Sequence, residues 1–177
     1  MNRRSILAAG AAVGCTALLG AVLAPPAAAG ASFVTRAPLT DFDTTNPGPF
    51  DNASGSLTLV GHSGSSTVVF RVHGIDPAVA DQQFGAHLHL GPCVENNGAA
   101  ALGHYNTDVL AGVTPPRVDE TTEVWLDIVV TSEGTGTAVA QVPFVPIPGD
   151  RSVVIHALPT DETGAAGARL ACLPVVW

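Results

Sequence analysis

Beyond residue 30 the chain is written in short β-type runs, each closed by a turn signal, and this repetition constrains the fold more than any other feature. Residues 56–60 (SLTLV) and 66–72 (STVVFRV) flank Gly61-His62-Ser63-Gly64, a hairpin signature. Residues 85–90 (GAHLHL) alternate strictly between apolar and polar or small. A second hairpin is expected where residues 123–130 (EVWLDIVV) and 137–142 (TAVAQV) meet around Glu133-Gly134. Residues 152–156 (SVVIH) and 168–173 (ARLACL) complete the set. No window past the N-terminal leader carries a 3.6-residue apolar period. Pro77, Pro115, Pro116, Pro143, Pro146, Pro148 and Pro159 all fall between runs, where strands tolerate them. Seven or eight short strands at this spacing predict an all-β fold, an antiparallel β-sandwich or flattened barrel.

The leader stands outside that pattern. Asn2-Arg3-Arg4-Ser5 places two arginines ahead of an apolar run over residues 6–25, and Ala27-Ala28-Ala29 supplies the small residues of a cleavage site. Residues 1–29 therefore read as a signal peptide, and the adjacent arginines suggest twin-arginine export. The mature protein is expected in the periplasm, the cell envelope or the extracellular space. A membrane anchor fits less well, because the run is rich in Ala and Gly and no positive flank follows it. Lipid attachment at Cys15 would leave a long apolar stub, so no stable membrane span is expected in the mature form. Residues 30–54, rich in Thr, Asp, Asn, Pro and Gly, read as a flexible N-terminal segment with one strand candidate at residues 32–35. Residues 55–177 read as the functional domain.

Removing the leader leaves two cysteines, Cys93 and Cys172, an even count for an oxidising compartment. They either stay as buried thiols or form a bridge closing a loop of roughly 80 residues, worth at most roughly 4.5 kcal/mol in the chain-entropy model. The chain contains no lysine and carries a formal charge of −8, which becomes more negative by two once Arg3 and Arg4 are lost. So acidic a protein is a poor nucleic-acid binder, and an anionic substrate needs a local positive guide.

Of the six histidines, four sit in distinctive settings. His87 and His89 are two apart on an alternating strand, so their rings project from one face as a pair of ligands for a single metal. His104 lies in a loop of small residues, and His156 ends the apolar run 153–155. Four imidazoles without a thiolate or thioether suit Cu(II), although residue type alone leaves zinc open. His62 and His73 read as hairpin-surface residues.

These segments resemble the Cu/Zn superoxide dismutase family. Residues 84–89 (FGAHLH), with Gly91 and Cys93 following, are similar to its F-H-V-H segment, and residues 103–106 (GHYN) to its G-H-F-N/D loop. Residues 151–157 (RSVVIHA) resemble its strand with the last copper histidine, and residues 167–172 (GARLAC) its G-x-R-L-A-C signature. The motifs fall in the family's order across residues 55–173. The resemblance implies a Greek-key sandwich binding one copper ion through His87, His89, His104 and His156. It also implies a Cys93–Cys172 disulfide and makes Arg169 the guanidinium that attracts superoxide, the substrate.

Two departures point to the copper-only branch of that family. No histidine occurs between His104 and His156, so two of four zinc ligands have no counterpart and zinc is not expected. The segment after His156 is also short, which predicts a site more open to solvent. Glu123 is then expected to hold the free ring nitrogen of His104, with Asp119 and Glu120 as competitors; a residual zinc site would have to draw on these or Asp127. The function expected is exported superoxide dismutation at a mononuclear copper site. The alternative is an exported copper-sequestering module with the same fold and little turnover. Oligomeric state is not legible.

Overall fold

The computed structural model describes residues 32–177, so the leader and Cys15 lie outside the described residues. Eight strands build two antiparallel sheets that face each other without closing into a barrel. The first sheet has the order β1 (Ser32–Pro38), β3 (Ser54–His62), β4 (Ser65–His73), β8 (Thr135–Val142). The second has the order β2 (Thr40–Asp41), β10 (Arg169–Val176), β9 (Asp150–His156), β6 (Ala86–His89). Two short strands, β5 (Gln83–Phe84) and β7 (Ile128–Val129), pair beside the second sheet. One short helix, α1 (Thr107–Leu110), interrupts the loops. The chain is an all-β sandwich; the barrel alternative does not apply.

Alternation explains the layers. Along β3 and β4 every second residue is buried, and Leu57, Leu59, Val68, Phe70 and Val72 point inward. From the opposite sheet Leu88, Val153, Ile155, Leu173 and Val175 meet them. Each such side chain contributes roughly 1.5–3 kcal/mol of transfer free energy. Strand β6 departs from the expected half-exposed alternation, because all four of its residues are buried. One face lies on the core and the other lies beneath the loops that carry the site.

Two expectations are corrected. Residues 30–54, expected to be flexible, are held in place over the described part: β1 pairs with β3 along its whole length, and Leu39, Phe50 and Ala53 are core residues. A Thr/Asp/Pro-rich composition hides these few apolar anchors. The expected hairpin of residues 123–130 with 137–142 also does not form. The turn is present, with Thr131 N donating to Thr135 O at 2.8 Å, but its arms enter different layers. Val124, Leu126, Ile128 and Val130 face the core from beside β6, with Leu88 N donating to Val124 O and Leu126 N to Ala86 O. Strand β8 instead pairs with β4. Each arm has its own apolar face, and both faces are satisfied only by covering the core from opposite sides.

Candidate metal centre

Four imidazoles converge at one end of the second sheet. Strand β6 presents His87 and His89 on its outer face, and its antiparallel partner β9 brings His156 alongside through His156 N donating to Gly85 O at 2.7 Å. His104 lies opposite His89 in an isolated antiparallel bridge, so the loop after the short 3-10 turn of Gly98–Ala101 delivers its ring to the same place. One ligand atom from each ring can be chosen so that all four lie within 4.8 Å of one another. His87, His89 and His156 are buried, and only the His104 side chain keeps 20% exposure. The expected solvent-open site is therefore open at His104 alone: Thr160 and Gly167 from the segment after His156 cover His87 and His156, and Leu102 covers His89.

The outer nitrogen of every ring is held. His89 Nδ1 donates to Leu102 O and His156 Nδ1 to Gly167 O, both at 3.1 Å. A carbonyl only accepts, so both protons sit on Nδ1 and both Nε2 atoms carry lone pairs. Those two lone-pair atoms nevertheless face each other at 3.3 Å. His104 Nδ1 meets Glu123 Oε2 at 2.8 Å, which leaves its Nε2 for the centre. His87 Nε2 meets Thr160 Oγ1 at 2.7 Å, and His87 Nδ1 is buried without a partner. Burial, then the neighbouring rings, drives His87 down to about 2, and burial with His104 drives His89 down to about 3. Burial likewise lowers His156. Four lone pairs that converge on one point, three of them on rings that burial keeps from protonation, fit a metal ion, with outer partners of the kind that orient ligating histidines.

Glu123 lies behind His104 and is itself buried. Burial pushes its carboxyl upward, but donors from His104, Asn106 and Trp125 outweigh that and hold it below the ordinary carboxylate range. Trp125 Nε1 reaches Oε2 at 2.8 Å and Asn106 Nδ2 reaches Oε1 at 3.0 Å. Asn106 also caps α1 by accepting from Asp108 N and Val109 N, which ties helix, carboxylate and ring together. The competitors lie elsewhere: Asp119 closes a turn on Thr121, and Glu120 is exposed. Asp127 turns to Thr160.

Arg169 opens β10 opposite His156, at a register irregularity. Its guanidinium donates to Gly98 O and to Leu102 O, the same carbonyl that holds His89. Part burial lowers its pKa, and one face borders a shallow surface lined by Gly98, Ala99, Leu102 and Gly103. Cys93 and Cys172 form a disulfide with Cα atoms 5.9 Å apart, linking that loop to the middle of β10. His62 and His73 are exposed on the β3–β4 hairpin. Sequence reasoning missed Trp125, Thr160 and Leu102 as parts of this centre. Their contacts are set by tertiary packing, and no spacing in the chain signals them.

Comparisons with known proteins agree with this geometry. A double mutant of a SOD-like protein from Bacillus subtilis aligns with 80% of this chain and 97% of its own, at a TM-score of 0.56 and 15% identity, a likeness of fold. No curated protein matches. The family model for copper/zinc superoxide dismutase (SODC) matches residues 53–174, a span that holds all four histidines and both bridged cysteines. The chain belongs to the copper/zinc superoxide dismutase family.

Proposed function

We propose that the protein is an exported superoxide dismutase acting at a single copper ion held by His87, His89, His104 and His156, without zinc. The observation that carries this reading is the cage of four inward lone pairs whose outer nitrogens are all engaged. Four neutral nitrogen donors without a thiolate suit copper. Copper bound there supplies the one-electron exchange by which two superoxide anions and two protons become one dioxygen and one hydrogen peroxide. The remaining work falls to the protein's own groups.

Arg169 supplies local positive charge beside the cage in a chain of formal charge −8, and it is the group placed to draw an anion inward. His104 differs from the other three rings because solvent reaches it and its Nδ1–H rests on a carboxylate. With Nδ1–H fixed on the carboxylate and the ring reached by solvent, His104 Nε2 is the atom at which a proton can be held and released toward product. Glu123 also supports the one-metal reading, because it fills the Nδ1 side of His104, the side a second ion would need. The leader motif and the disulfide support export. Among the described residues no helix is long and apolar enough to cross a membrane.

The test pairs metal analysis with turnover over a range of ionic strength. Copper without zinc is expected, with activity that falls as salt rises and drops at least about tenfold in Arg169→Ala. Copper-loaded protein that shows no superoxide-dependent activity and matches the Arg169→Ala variant sinks the reading. One observation favours a copper-sequestering module instead: Asp41, Asp43 and Asp51 line the cleft on the other flank of Arg169 and oppose its field. A rate that rises with salt, or copper bound without turnover, decides for that second reading.

A further inference from the structure

We infer that Thr160 and Asp127 form a hydroxyl-mediated carboxylate support that selects the metal-binding tautomer of His87, an inference that rests on the metal-cage reading. The direction of each bond follows from what each atom can donate. Asp127 only accepts, and its Oδ1 takes the Thr160 hydroxyl at 2.6 Å and Ala86 N at 3.2 Å. Its Oδ2 takes Thr160 N at 2.8 Å and Gln83 Nε2 at 3.5 Å. Thr160 has one hydroxyl proton, and Asp127 receives it. The oxygen therefore offers a lone pair to His87 Nε2 at 2.7 Å, and Nε2 must carry the ring proton.

The consequence lies on the other side of the ring. With the proton on Nε2, Nδ1 is bare, buried and unpartnered, on a ring whose centroid lies 4.0 Å from that of His104 and 5.1 Å from that of His156. The opposite tautomer would put an N–H into the cage and leave the Thr160 oxygen without its donor. The other three rings are oriented by two carbonyls and a directly bound carboxylate, so His87 alone depends on a side-chain hydroxyl between ring and carboxylate.

Backbone packing is shaped to deliver Thr160. Gly85 N donates to Leu158 O at 2.8 Å, and Leu158 N to Ala166 O at 2.9 Å, which lays the post-His156 segment against the start of β6. A Cβ on Gly85 would lie 2.9 Å from Thr160 Oγ1, 2.8 Å from Leu158 O and 2.6 Å from Ala166 Cβ. Only glycine permits this approach. The short segment after His156 is thus the arm that positions a ligand from behind. Thr160 and Asp127 act as positioning residues.

The test uses the full mature chain. Nitrogen-15 NMR of the metal-free protein should find His87 protonated at Nε2; protonation at Nδ1 overturns the inference without any substitution. Thr160→Val keeps the shape and removes the hydroxyl. It should weaken Cu(II) affinity by roughly 10–100-fold in chelator competition and change the copper EPR spectrum, while Thr160→Ser stays within about twofold of wild type. A folded Thr160→Val variant with wild-type affinity and spectrum overturns the inference and leaves the cage standing. A wild-type chain that takes up no copper overturns both.

Discussion

Acidifying the metal-free, disulfide-intact protein probes the cage through its stability. His87 and His89 are fully buried and held down to about 2 and about 3, against an ordinary value of 6.5. Between those limits the unfolded chain binds protons that the native cage refuses. The stability each ring contributes is therefore complete above pH 6.5 and falls by about 1.4 kcal/mol per pH unit below it. At about pH 4.5 the two rings together have lost roughly 5 kcal/mol. Any folded value well below 4.5 gives the same loss, so the figure does not depend on how deeply each ring is depressed. His156 is lowered by the same burial and adds in the same direction. Glu123 is depressed too, but its contribution is lost only below its ordinary value of 4.5, outside this window. Since a domain's whole stability is about 5–15 kcal/mol, the metal-free protein should lie near its unfolding limit at about pH 4.5. Urea titrations followed by tryptophan fluorescence at about pH 7.5, 6 and 4.5 measure the slope. Equal free energies at the two ends would show that the native rings take up protons freely, and the argument for a lone-pair cage would fail.

Two substitutions probe the surrounding shell. Glu123→Gln keeps the shape but sets an amide N–H against the donors of Asn106, Trp125 or His104, and should cost about 1–3 kcal/mol in urea unfolding. It should also lower turnover by roughly 10–100-fold with copper still bound, and unchanged turnover removes Glu123 from the proposed function. Leu102 holds φ 60° and ψ −152°, a region that glycine favours, and the residue is 56% exposed. Relief of about 1–3 kcal/mol of strain outweighs the roughly 0.5–1 kcal/mol entropic cost of glycine, so Leu102→Gly should stabilise by about 1 kcal/mol and raise Tm. A lower Tm would show that the carbonyl serving His89 and Arg169 is held there without strain.

Much of the centre was legible because its logic is local. Alternation in a strand follows from covalent geometry, so H-x-H on β6 had to put His87 and His89 on one face in any sheet that formed. The strand-turn rhythm likewise implied a sandwich, since runs of that length have one apolar face to cover. Glu123 was reached through the resemblance, from its place at the start of an arm, and the structure sets it 2.8 Å from His104 Nδ1.

What stayed hidden depends on which layer an element joins. Periodicity marks the apolar face of residues 123–130 but not the side of the core from which that face packs. The arm therefore read as a partner of β8 when it lies beside β6. The sparse anchors Leu39, Phe50 and Ala53 disappear in a polar composition, yet they bind residues 32–53 to the core. The support of His87 spans 73 residues to Thr160 and a further 33 back to Asp127, separations over which no pattern in the chain carries information. The residue types that can hold a metal were set by the chain itself. The nitrogen each ring turns inward was decided by the folded structure, because a proton's place on an imidazole depends on the acceptor packed against its far side.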